Sequence, residues 1–114
     1  MLKRIKMIMP VPMPQAALAA FEAQIPPALR RADVTVDFVA VKEGGKILDS
    51  YYEMTLADAF VLEAGASAEA EGYDAVCINS MSDSGLAALR SRLSIPVVGP
   101  GQSCLLTACM LGEK

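Results

Sequence analysis

The chain has 114 residues, ten of them basic and thirteen acidic, for a net charge of −3; this length supports one domain that buries roughly two-thirds of its unfolded surface. The balance leaves no electrostatic footprint for nucleic acid, and no apolar run approaches the ~20 residues of a membrane span. With no histidine, Ser-His and Cys-His pairs and most zinc sites are excluded unless another chain supplies them.

A hydrophobic fraction of 54% is high for a small soluble protein, so part of the apolar surface is expected to meet a partner or a further part of a larger molecule. Three cysteines without metal-ligand spacing fit a reducing compartment. Pro10, Pro12 and Pro14 interrupt an N-terminal stretch that would otherwise mimic a signal peptide, and the expectation is a soluble cytoplasmic protein, not a membrane one. Lys3, Arg4 and Lys6, the only early basic cluster, read as a solvated strand edge.

Ile5 to Met9 is a short apolar run stopped by Pro10, a first strand. After the stiff Pro10–Pro14 loop, Ala17, Leu18, Phe21 and Ile25 recur at helical spacing until Pro26-Pro27. Val34, Val36 and Phe38 alternate with polar residues, which predicts an edge strand with one wet face. Lys42 to Ser50 reads as a loop, followed by Tyr51 and Tyr52 and then by a helix capped at or near Thr55. From Ala59 to Ala68 its only charge is Glu63, so neighbours on most sides are expected.

Ala75 to Ile78 is apolar throughout, like a central parallel strand. It runs into the polar loop Asn79-Ser80-Met81-Ser82-Asp83-Ser84-Gly85, where strand ends meet helix starts and open α/β sheets bind ligands. Leu86, Leu89 and Leu93 then mark a helix with Arg90 and Arg92 on its outer side, and Ile95 to Gly99 a fourth strand. Pro100 to Ser103 forms a second strand-to-helix turn before an uncharged helix, Cys104 to Leu111, with Gly112 as its C-cap. The pattern is (βα)4: an α/β fold with a four-stranded parallel sheet, helices on both faces and the flavodoxin-like order 2-1-3-4. Its last helix has little within the chain to bury itself against, and the seven methionines read mostly as core filler.

The run from Asp49-Ser50-Tyr51-Tyr52 through Glu69-Ala70-Glu71-Gly72-Tyr73-Asp74-Ala75-Val76, then Asp83-Ser84-Gly85-Leu86 and Ile95-Pro96-Val97-Val98-Gly99, resembles the N-terminal lobe of the aspartate/glutamate/hydantoin racemase superfamily. The resemblance covers most of the chain. It implies that residues 1–114 form a single α/β lobe, the first half of a two-lobe protein whose site lies in the cleft between the lobes. It further implies proton transfer next to a carboxylate or amide carbonyl of a small substrate, without cofactor or metal, using one cysteine from each lobe.

Ser80 stands in the position of the family's first cysteine, which makes it the candidate catalytic residue; Asn79, Ser82, Asp83 and Ser84 are the candidate substrate-binding residues. A serine hydroxyl is a far weaker acid than a thiol, so Ser80 is expected to donate a hydrogen bond and the base to come from a second lobe or a second copy of the chain. Two other functions follow from the same departure: a ligand-binding or assembly lobe without catalysis, and a one-cysteine decarboxylase or maleate-isomerase-like enzyme. The simplest alternatives for Ser82, Asp83 and Ser84 are helix caps. Cys77 and Cys104 read as small buried hydrophobes.

Overall fold

The computed structural model describes residues 1–112. The strands are β1 (Lys3–Met9), β2 (Val34–Ala40), β3 (Ala75–Ile78) and β4 (Val97–Val98), all parallel in the order β2-β1-β3-β4. Between them run α1 (Gln15–Ala23), α2 (Tyr51–Gly65) and α3 (Leu86–Arg92), and α4 (Pro100–Leu111) follows β4. A single 3-10 turn, Pro27–Leu29, lies between α1 and β2. The order 2-1-3-4 and the flanking helices match the sequence pattern, with β2 at one edge and β3 in the interior.

Register divides the side chains between the two faces, because residues paired across parallel strands point the same way. Ile8, Val76, Ile78 and Val97 form one face with Val39 and meet Val61 of α2 and Leu86 and Leu89 of α3 in the main core. Gly65 lets α2 approach this face: a Cβ there would lie 2.9 Å from Leu89 Cδ2 and 3.0 Å from Ile8 Cδ1. Right-handed crossovers put α1 on the opposite face, where it packs against β2.

Several sequence expectations need correction. The basic cluster is not a solvated edge, because β1 is interior: Arg4 pairs with Asp37 and Lys6, which is buried, pairs with Glu71 at 2.7 Å. Tyr51 and Tyr52 do not precede the second helix but begin it. Ser50 is its N-cap, accepting from Glu53 N at 3.2 Å, whereas Thr55 donates back to Tyr51 O. α2 buries one stripe, Ala57, Val61 and Gly65, rather than most of its circumference. Of the methionines Met9 is buried, while Met1, Met81 and Met110 are exposed and so fill no core.

Cys104 is also exposed, and so is Cys109, because α4 begins at Pro100 and stands apart from the sheet with only Gly101 buried. Leu105, Leu106, Met110 and Leu111 are each at least 60% exposed, which bears out the expectation that this helix lacks a neighbour within the chain. The Cα radius of gyration of 14.3 Å compares with about 13 Å for a compact domain of this length. Among the described residues no helix is long and apolar enough to cross a membrane.

Candidate functional site

At the C-terminal edge of the sheet, β3 ends and the chain turns through Asn79 to Gly85 into α3. Two backbone positions give this turn its shape. Asp83 has φ 52° and Gly85 φ 68°, both left-handed; asparagine and aspartate tolerate that region better than most residues, and glycine enters it freely. A Cβ at position 85 would also come within 3.1 Å of Asp58 O and Val61 Cγ1. Asp58, which sequence reasoning did not single out, fixes the turn from α2 by accepting from Gly85 N at 2.7 Å. A lone aspartate on a helix gave no sign of that contact.

The loop brings three hydroxyls together. Ser80 Oγ lies 2.6 Å from Ser82 Oγ, which lies 3.1 Å from Ser84 Oγ. Ser82 N also donates to Ser80 Oγ at 3.3 Å. Ser84 is buried and Ser80 half-buried, while Ser82 between them is exposed. Asn79 is turned elsewhere, its side-chain amide donating to Met9 Sδ at 3.3 Å while its backbone N–H continues the β1–β3 ladder to Ile8 O.

Asp83 is a cap, but for a different helix from its own. Its carboxylate accepts from Gly101 N at 2.8 Å and Gln102 N at 2.7 Å, satisfying donors in the first turn of α4. Pro100 contributes no N–H, so this helix start is largely occupied by the protein's own carboxylate. A Cβ on Gly99 would fall 2.5 Å from Asp83 Oδ1, and one on Gly101 2.2 Å from Met81 O, so the Gly-Pro-Gly sequence is what allows the two segments to meet. Arg90 adds a second tie, donating to Val97 O and to Gln102 Oε1.

Among the thiols, Cys77 lies inside β3, half-buried, opposite Met7 and Val98. Burial, reinforced by the charge of Asp83, pushes its pKa above that of a free thiol, so it is protonated at neutral pH. No group of three metal-ligating side chains occurs among the described residues. A cavity of about 370 Å³ lies away from this loop, beside the N-terminal half of β2. Its arginines are already used, Arg30 on the carbonyls of Glu22 and Ile25 and Arg31 on Asp33, so it offers little free polar chemistry.

The family model described as Asp/Glu/Hydantoin racemase matches residues 15–114. The chain belongs to the Asp/Glu/hydantoin racemase family. It is 36% identical over 84 residues to the hydantoin racemase of Pseudomonas sp. (strain NS671), a match covering 74% of this chain and 34% of that protein. The allantoin racemase from Klebsiella pneumoniae has the same fold, with a TM-score of 0.82 at 24% identity over 95% of this chain and 43% of that one. This member of the family therefore spans well under half the length of either relative.

Proposed function

We propose that this chain is one lobe, the N-terminal one, of a cofactor-independent racemase-like isomerase that moves a proton next to a carboxylate or amide carbonyl, with its site in a cleft between two lobes. The observation that carries this reading is the row of hydroxyls at the end of β3, in a chain of the racemase family and at the position where the family resemblance puts the first cysteine. Abstracting a proton next to a carbonyl requires a base, donors for the developing enolate charge and a dry cleft. Ser80 and Ser82 supply donors. The base comes from the facing lobe, against which the uncharged face of α4 packs. The substrate is a small amino acid, hydantoin or related carboxylate.

The decisive assay follows deuterium from D2O into the α-carbon of amino acids, hydantoins and maleate-type diacids, using the longest translated product that contains this chain. Uptake on any of these supports the reading, and uptake on none refutes it. A second reading, a binding or assembly lobe without catalysis, draws on Ser80 standing in place of a thiol while Cys77 stays protonated inside the strand. If Ser80→Cys produces exchange where the wild type has none, this second reading holds.

A further inference from the structure

Strand β2 ends the sheet, and its outer edge is open. In a parallel ladder alternate residues turn both N–H and C=O toward the same neighbour. Asp33 O accepts from Lys3 N and Val41 N donates to Met9 O, so the odd-numbered residues of β2 face β1. The main-chain groups of Val36, Phe38 and Ala40 therefore point outward, where no strand meets them among the described residues. Open edges are ordinarily blunted by a short strand, proline, lysine or a bulge. The opposite edge follows that rule, since β4 has only two residues. β2 runs for seven, Val-Thr-Val-Asp-Phe-Val-Ala, in unbroken register with β1. Its one charge is already bound, Asp37 accepting from Arg4 and from the Tyr73 hydroxyl. The cavity of about 370 Å³ touches every residue from Val34 to Asp37. Successive side chains point to opposite faces, so this cavity is a trough along the edge itself. Its far wall carries Ile25 and Leu29, the latter 70% exposed.

We infer that β2 is an interface between two copies of this chain, paired edge to edge as antiparallel strands about a two-fold axis at Val36, so that two sheets become one. The sequence of the strand selects this register. An axis at Asp37 would set that carboxylate opposite its own copy, a like-charge pair. An axis at Phe38 would set Asp37 against Val39 and leave the trough empty. The axis at Val36 sets Val34 opposite Phe38 on one face and Thr35 opposite Asp37 on the other, an apolar pair and a hydroxyl facing a carboxylate. Phe38 of the second copy then enters beside Val34, at the trough lined by Ile25 and Leu29. The strand is thus its own complement, and the inference stands independently of the loop after β3.

Hydrogen exchange at single amides reads the edge, using the longest translated product that contains this chain over a range of protein concentrations. Val36 and Phe38 are expected to gain protection as concentration rises. Ala40 should stay fast, being beyond the paired register, while Thr35, Asp37 and Val39 are protected throughout by β1. Sedimentation equilibrium supplies the energetics. Val36→Pro deletes an outward N–H and no bond to β1; with two symmetry-related bonds lost, it should weaken dimerisation at least about tenfold. Thr35→Asp meets Asp37 of the second copy with a like charge and should weaken it about threefold or more, whereas Thr35→Lys should tighten it by a similar factor. Protection at Val36 and Phe38 that does not change with concentration, whether absent throughout or supplied by another segment or a different partner, overturns the inference. So does a dimer indifferent to Val36→Pro, which would place the contact elsewhere, and so do equal effects of Thr35→Asp and Thr35→Lys. Should Val36→Pro fail to fold, the two substitutions at the exposed Thr35 decide.

Discussion

Asp83→Ala is expected to release α4 while leaving the sheet intact. The substitution removes an acceptor pair from Gly101 N and Gln102 N, and losing an N-cap carboxylate costs about 1–2 kcal/mol. Alanine must also hold φ 52°, where an ordinary side chain is strained by about 1–2 kcal/mol and aspartate by less. Because one of the two bonds is exposed, we expect the lower part of the combined range, about 2 kcal/mol. Asp83→Gly relieves the backbone strain and should lose about 1 kcal/mol less than alanine. Asp83→Asn, which tolerates the same φ and keeps one acceptor, should be the mildest of the three. Only Gly101 of α4 is buried, so the loss should be local. Amide hydrogen exchange is the assay: protection should fall along α4 and hold at Ile8, Val76 and Ile78 in the core. A uniform fall across sheet and helix, or unchanged protection in α4, would refute the assignment of Asp83 as the strap.

Three further outcomes test the packing and electrostatics. Lys6 is buried and Glu71 half-open, so Glu71→Ala strands a buried cation and should cost about 2 kcal/mol in urea unfolding, whereas Lys6→Met should be close to neutral. The Asp37 carboxyl is held below the usual range by the Arg4 guanidinium and the Tyr73 hydroxyl, and that of Glu71 by Lys6 and Ser67. Depressed carboxylates contribute their stability above the unfolded value and lose it as pH falls, so the urea midpoint should drop from about pH 4 downward, and less steeply in Asp37→Asn. Alkylation with iodoacetamide at pH 8 should modify the exposed Cys104 and Cys109 well before Cys77, whose thiol burial keeps protonated; equal rates would contradict the placement of Cys77 in the sheet.

The topology was legible because the strands advertise their surroundings: β2 alternates as a one-sided edge strand does, and Ala75 to Ile78 is apolar on both faces as an interior strand is. The isolation of α4 was equally plain in its lack of charge. Relations between distant residues were not legible. Asp83 sits beside a helix start and reads as its cap, yet its partners lie 18 and 19 residues further on, and nothing local in the sequence distinguishes the two. The charges of β1 looked like an edge because their carboxylate partners, Asp37 and Glu71, come from other elements. The start of α2 was missed for a different reason: Ser50 and Glu53 have the spacing of a capping box, and the local signal was present. The glutamate half of the box does not form. The Glu53 carboxylate instead fills the space beside Gly45, with Oε2 buried and unpartnered among the described residues.

The central claim is that the loop after β3 holds the acidic end of a small substrate. Two-dimensional ¹H–¹⁵N spectra of the chain, titrated with succinate, test it most directly. The account predicts saturable shifts at the amides of Asn79 to Ser84, abolished in Ser80→Ala/Ser82→Ala. Shifts confined to the cavity residues beside β2, from Glu22 to Asp37, or an unchanged response in the double variant, would contradict it.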